Sequence, residues 1–182
     1  MTELPSNLRL CAEEVADKYP QHVKNHWILI DTASQKLYLL NQFALIKEYL
    51  VSTSKFGLGC EQDSYKTPLG AHEIADCIGD NCQLNEIFES RRATGVVARI
   101  EYQNIPTNKD LILTRIMRLR GLEENKNLGA GVDSYQRYIY IHGTHEEGLL
   151  GTPASHGCVR MSNMDVVELF NQVKEKIFVY LK

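Results

Sequence analysis

The apolar residues of this chain fall mostly into short runs of strand length, separated by polar turns. The first three runs are residues 27–31, 36–40 and 45–51, and their aliphatic and aromatic content predicts a β-meander. Further strand candidates are residues 71–75, 95–102, 111–118, 136–143 and 177–181. The pattern therefore predicts a mostly β fold, without repeats or low-complexity tracts.

Helical periodicity is concentrated near the two ends of the chain. Apolar residues recur at helical spacing between residues 7 and 19, where Ser6 is a candidate N-terminal cap and Pro20 ends the segment. The same spacing returns from residue 163 onwards, before the last strand candidate. The intervening polar segments, predicted to be irregular, are residues 51–70, 77–92 and 121–133. Peripheral helices are thus expected at both ends of a β domain.

Length and charge limit the architecture and the partners. The chain has 182 residues, 43% of them hydrophobic, which is enough for one compact core and rather little for two. We expect an N-terminal helical segment, residues 1–26, joined to a main domain, residues 27–182. The formal net charge of −3 offers no basic surplus, so neither nucleic acid nor an anionic membrane is an expected partner.

The lengths of the apolar runs also indicate where in the cell the protein is expected. All of them are far shorter than the roughly 20 residues that span a bilayer. Charges recur at close intervals before Trp27, which is not the pattern of a signal-peptide core. We therefore expect a cytoplasmic protein without membrane association.

Five cysteines, an odd number in a chain of this size, are expected to stay reduced. Cys60, Cys77 and Cys82, with His72 nearby, leave three alternatives open: a zinc site, a redox-labile loop pair, or small buried and loop thiols. The spacing between Cys77 and Cys82 is long for a zinc pair and no second pair accompanies it, which favours the last alternative. We expect no metal and no cofactor. His145, next to two glutamates, is interpreted as a solvated loop residue.

Two short segments carry the reactive side chains. They are residues 141–144 (Ile-His-Gly-Thr) and 155–161 (Ser-His-Gly-Cys-Val-Arg-Met). A catalytic cysteine needs a neighbouring imidazole or another positive environment to form its thiolate, and Cys158 has two candidates. His142 can face it when the intervening loop folds back, whereas His156 lies two residues away, where side chains point in parallel. We therefore assign Cys158 as nucleophile, His142 as base and His156 as a supporting residue.

Gly157 and Arg160, on either side of Cys158, are further candidate site residues. Gly157 lets the backbone approach closely, and its amide and that of Cys158 are candidate donors to a developing oxyanion. Arg160 is a cation beside the nucleophile that could hold a substrate carboxylate in a bidentate grip or pair with an acid such as Asp165. The sequence thus indicates thiol-based acyl transfer.

The two segments resemble the active-site motif of the L,D-transpeptidase catalytic domain (YkuD) family, a histidine followed at restricted distance by Ser/Thr-His-Gly-Cys. Residues 30–38 resemble the family's first hairpin, and residues 66–70 (Lys-Thr-Pro-Leu-Gly) resemble its Thr-Pro-x-Gly turn. The resemblance therefore covers residues 27–163. It implies that the main domain is a β-sandwich catalytic domain with peripheral helices.

The resemblance also implies roles for individual residues. Cys158 would be the nucleophile, His142 the base, and the Gly143 carbonyl the acceptor that orients the imidazole. The residues implied to line the substrate and oxyanion pocket are Ser155, His156, Gly157 and Arg160. Carbapenem-type β-lactams are implied as covalent inhibitors.

The implied substrate is the tetrapeptide stem of peptidoglycan, as a free peptide or a muropeptide. The thiol would attack the carbonyl of the L-centre in an L-D peptide bond and release the terminal D-Ala. With water as acceptor the chain would be an L,D-carboxypeptidase of cytosolic peptidoglycan recycling, which is our expectation. The alternatives are an L,D-transpeptidase that forms 3-3 cross-links or exchanges D-amino acids, and a non-catalytic muropeptide-binding module.

Overall fold

The computed structural model describes residues 4–173 and 175–182, and strands dominate it. The helices are α1 (Ser6–Lys18) and α2 (Asn163–Gln172). The strands are β1 (His26–Asp31), β2 (Lys36–Asn41), β3 (Ala44–Ser52), β4 (Gly70–Ile78), β5 (Glu86–Glu89), β6 (Arg92–Val97), β7 (Ile112–Gly121), β8 (Tyr140–Gly143), β9 (Val159–Met161) and β10 (Phe178–Leu181). The expectation of a mostly β domain with a helix towards each end is confirmed.

The ten strands form one sheet in the order β4-β10-β1-β2-β3-β9-β8-β7-β5-β6. An additional antiparallel pairing between β4 and β7 closes the strands from β4 to β7 into a barrel-like sandwich, and the β5–β6 hairpin extends from β7. Two neighbouring pairs are parallel, β1 with β10 and β8 with β9. The second of these pairs positions the site described below.

The apolar run of β1 is buried on both faces, which explains why it is continuous rather than alternating. Ile28 and Ile30 face the interior of the sandwich, where Val166 of α2 joins them. Trp27 faces the other side and packs in a second cluster with Leu8 of α1. Each terminal helix therefore covers a different part of the sheet.

Several predicted boundaries were wrong. Helix α1 begins at Ser6, and no side chain caps it; the carbonyl of Pro5 accepts the amides of Leu8 and Arg9 at 2.9 Å. Residues 136–139, predicted as strand, precede β8, and residues 136–138 form a turn in which Tyr138 has a φ of 57°. In the same way, strand β6 ends at Val97, and the residues that follow it up to 102 are irregular.

Strand β5 lies inside the segment that the sequence predicted to be a polar excursion. Glu86 is only 6% exposed, and its carboxylate accepts the amides of Gln83 and Gly95 at 3.0 and 2.8 Å. These bonds satisfy a charged residue inside a hairpin, while Phe88 supplies the apolar contact. A strand stabilised in this way has no strong apolar signal in the sequence.

Residues 98–111, which we call the covering segment, contain no strand and lie against the loop after β8. The amide of Glu101 donates to the His145 carbonyl at 2.7 Å, and the hydroxyl of Thr107 lies 2.8 Å from Nε2 of His145. The interpretation of His145 as a solvated residue is therefore wrong. It is 6% exposed because the covering segment lies over it.

The free energy of unfolding is expected to fall as the pH drops from about 6.5 to about 4, because burial lowers the pKa of the His72 side chain to about 4. The unfolded chain binds that proton near its ordinary pKa, so the stabilisation is fully present above this range and is lost on acidification. Each such histidine contributes at most about 1.4 kcal/mol per pH unit. Urea unfolding between pH 4 and pH 7 measures it, and His72→Gln should flatten the profile; an equally steep profile in the variant would refute this origin.

Candidate active site

Strands β8 and β9 bring the two reactive segments together. Their parallel register pairs Ile141 with Val159 and His142 with Arg160. Cys158 directly precedes β9, so the parallel pairing brings the turn that carries it alongside β8, the strand that carries His142. The charges of Asp110 and Arg160 influence the pKa values of both His142 and Cys158, which places all four groups in one neighbourhood.

His142 is held as a neutral base. It is 1% exposed, and its Nδ1 donates to the Gly143 carbonyl at 2.7 Å, so the lone pair of the neutral ring lies on Nε2. Burial lowers the pKa of His142 to about 4, and the charge of Asp110 offsets this only in part. A neutral imidazole with a fixed tautomer can accept the proton of a thiol.

Gly143 fits its place because a side chain there would be obstructed. A Cβ atom would lie 2.4 Å from Oδ1 of Asn163 and 2.9 Å from the Leu113 carbonyl. Asn163 also donates to the Thr144 carbonyl at 2.7 Å, and so anchors the strand end that carries the base. The expected contact between the imidazole and the Gly143 carbonyl is present.

The surroundings of Cys158 favour the neutral form of its thiol. It packs against the cluster that contains Phe88 and Tyr140, and burial raises the pKa of Cys158 to about 12. Its Sγ donates to the Tyr138 carbonyl and accepts the Tyr140 amide, both at 3.4 Å. Those hydrogen bonds engage the thiol with backbone rather than with His142. Catalytic contacts are often loose before substrate binds.

Hydrogen bonds fix the turn before the nucleophile. The Ser155 hydroxyl donates to the Cys158 carbonyl at 2.6 Å and accepts the Gly157 amide at 3.2 Å. Gly157 has a φ of +127°, a conformation that side-chain-bearing residues rarely adopt. Its amide, a candidate oxyanion donor from the sequence, is thus engaged within the turn. Ser155 and Gly157 shape the backbone that presents the thiol.

Thr67 is a site residue that the sequence analysis did not single out. Its hydroxyl donates to the Gly157 carbonyl at 2.9 Å and accepts the Ser54 amide at 2.9 Å. The sequence contained one signal for it, the Thr-Pro turn at residues 66–70. Thr67 ties this turn to the nucleophile turn.

His156 contacts the covering segment and two aromatic side chains. Its Nδ1 lies 2.6 Å from Oδ2 of Asp110, and its ring lies 5.6 Å from the ring of Phe56 and 6.3 Å from that of Tyr65. These contacts hold the imidazole between the covering segment and an aromatic pair. They suit a supporting role.

Arg160 is 1% exposed and forms two ion pairs. Its guanidinium contacts Glu146 and Asp110, each at 2.7 Å. Asp165, the acid named from the sequence, is not the partner; its amide donates to Ser162 at the start of α2. Asp110 was missed because the covering segment carries no motif, and its proximity to Arg160 arises only from the fold.

His72 and Cys77, two of the remaining candidate groups, are held in buried surroundings. Both ring nitrogens of His72 are engaged, by the Gly70 carbonyl at 3.0 Å and the Ser134 hydroxyl at 2.9 Å. Burial raises the pKa of the Cys77 thiol to about 11. Within residues 4–173 and 175–182, no cluster of three or more His, Cys, Asp or Glu side chains could hold a metal ion. Over the same residues, no helix is long and apolar enough to cross a bilayer.

A comparison with family models shows the family of the chain. The model of the L,D-transpeptidase catalytic domain, YkuD, matches residues 25–180. The chain belongs to the YkuD family. The match contains both reactive segments and all ten strands except the last residue of β10. A comparison with curated proteins gave no significant match.

Solved structures of L,D-transpeptidases share the fold. One from Mycobacterium smegmatis has a TM-score of 0.53 and 13% identity, covering 87% of this chain and 58% of that one. L,D-transpeptidase 3 from Mycobacterium tuberculosis, in complex with a faropenem-derived adduct, has a TM-score of 0.53 and 14% identity, covering 86% and 60%. The L,D-transpeptidase from Xylanimonas cellulosilytica has a TM-score of 0.50 and 17% identity, covering 93% and 68%. The YkuD chain described here therefore spans less than two thirds of the two mycobacterial structures.

Proposed function

We propose that the chain is an L,D-carboxypeptidase that uses Cys158 to remove the terminal D-Ala from peptidoglycan tetrapeptides. The observation that carries the proposal is the hydrogen bond from Nδ1 of His142 to the Gly143 carbonyl, which leaves the lone pair of the neutral ring on Nε2. The imidazole would take the thiol proton as Sγ attacks the carbonyl of the L-centre. Returning that proton to the leaving amine would release D-Ala and leave a thioester on Cys158.

Water is the acceptor that best fits the burial of the base. His142 is 1% exposed, and water is the smallest acceptor that could approach its Nε2. Water activated in this way would hydrolyse the thioester to a tripeptide. We place this reaction in the cytoplasm as part of the proposal, and subcellular fractionation would test that location.

Two alternatives make different chemical demands. An L,D-transpeptidase would have to admit an amine of a D-amino acid or stem peptide to the same thioester. A muropeptide-binding module would bind the tetrapeptide without turnover, and it gives no reason for the fixed tautomer of His142. The geometry therefore favours catalysis.

The products formed from a purified tetrapeptide test the proposal. Mass spectrometry after incubation, with and without excess D-methionine or glycine, should show tripeptide alone in both cases. Exchanged or cross-linked stems would establish a transpeptidase instead. Binding without any product would establish the binding module, and Cys158→Ala is the matched control for contaminating peptidases.

A further inference from the structure

A cavity of about 360 Å³ opens beside His156. Residues 106–110 of the covering segment form one wall, and residues from the loop before β9, including 152–154, form the other. Arg160 and Glu146 lie among its lining groups. This volume is within the range of small-molecule sites.

The charged groups at the base of the cavity already have partners. Arg160 is engaged by Asp110 and Glu146, as described above. The second oxygen of Asp110 contacts His156, and the second oxygen of Glu146 accepts the Thr107 amide. Two carboxylates thus already compensate the single charge of Arg160.

Two other cations line the same cavity. Lys55 and Lys109 are both exposed, and neither forms an ion pair within residues 4–173 and 175–182. The ammonium of Lys55 lies 5.3 Å from the centroid of the Phe56 ring. With Asp110 and Glu146 compensated by their donors, the lining has a surplus of positive charge.

The cavity is close to the reacting groups. Its lining residue Arg160 pairs with His142 in the β8–β9 register, and His156 lies two residues from the nucleophile. We propose that this cavity binds a carboxylate of the substrate peptide through Lys55 and Lys109. The inference rests on the proposed function and deepens it, because it makes these lysines specificity residues. The carboxylate is that of the terminal D-Ala or an internal one of the stem.

Peptides in which one carboxylate is amidated distinguish the carboxylate of the terminal D-Ala from an internal one. The free tetrapeptide is compared with a peptide amidated at its C-terminus and one amidated at its internal carboxylate. The wild-type enzyme should prefer the acid over one of the two amides by about tenfold in KM, the effect of one charge-assisted contact. In the double variant Lys55→Ala/Lys109→Ala, the ratio of the KM for the amide to the KM for the acid should fall close to one. The kcat for the acid should change much less than its KM. Lys24→Ala, in the turn before β1, removes an equal charge as the matched control.

Each outcome bears on the inference. Preference against the terminal amide assigns the D-Ala carboxylate, and preference against the internal amide assigns the other source. A wild-type enzyme indifferent to both, or a double variant that keeps the preference, overturns it. Affinities of the three peptides for Cys158→Ala, with and without the lysine substitutions, give the same comparison without turnover. They therefore separate failure of the cavity assignment from failure of the proposed function.

Discussion

Replacing His142 by alanine is expected to slow acylation of Cys158 by about a thousandfold, the scale of a lost general base. Burial raises the pKa of the Cys158 thiol to about 12, so almost no thiolate exists at neutral pH without a base. Replacing His156 should slow acylation by only about tenfold, because its Nδ1 contacts Asp110 and its ring packs on aromatic residues.

Acylation of Cys158 can be followed with a carbapenem, which we propose as a covalent inhibitor of this chain. Intact-mass spectrometry over time gives the acylation rate of the wild-type protein and of each histidine variant, and Cys158→Ala should give no adduct. Equal losses in His142→Ala and His156→Ala would contradict the assignment of the base. Circular dichroism of both variants checks that the fold is retained.

Replacing Arg160 by methionine is expected to lower the free energy of unfolding by about 3 kcal/mol, the cost of removing one partner from a buried ion pair. The substitution leaves the Glu146 side chain, 4% exposed, without its cation. Asp110 is less affected because its side chain is 30% exposed. The loss should therefore come mainly from Glu146.

Urea unfolding of Arg160→Met tests this expectation. Adding Glu146→Gln to the variant should recover part of the loss, because it removes the unpaired charge while keeping an acceptor for Thr107. Arg9→Met breaks an exposed pair with Glu13 and should leave the unfolding midpoint nearly unchanged. If the double variant were no more stable than Arg160→Met alone, the buried charge would not be the cause.

The sequence predicted what depends on neighbours along the chain. The three strands from residue 26 to residue 52 carry apolar runs bounded by turns, and the structure has them within a residue or two. The reactive segments could also be recognised in the sequence, because His142 and Cys158 lie in short motifs. The glycines of these motifs are required locally: Gly157 by its positive φ, and Gly143 by the lack of space for a side chain.

The remaining contacts link segments that are distant in sequence. Asp110 reaches Arg160 and His156 only because the covering segment lies over the end of β9, and nothing around residue 110 indicates this. Strand β5 depends on amides that bond to Glu86 rather than on an apolar pattern. His145 looked solvated because its cover comes from Thr107. Such contacts arise from topology, which one sequence does not reveal.

Strand β10 lies between β1 and β4, so a segment synthesised after both of them fills the gap between them. While the chain is still on the ribosome, both flanking strands would present open edges of the kind that recruit other chains. The sandwich cannot close until residue 181 has emerged. Chaperone binding during synthesis should therefore persist until β10 has emerged, and chains that lack β10 are expected to aggregate.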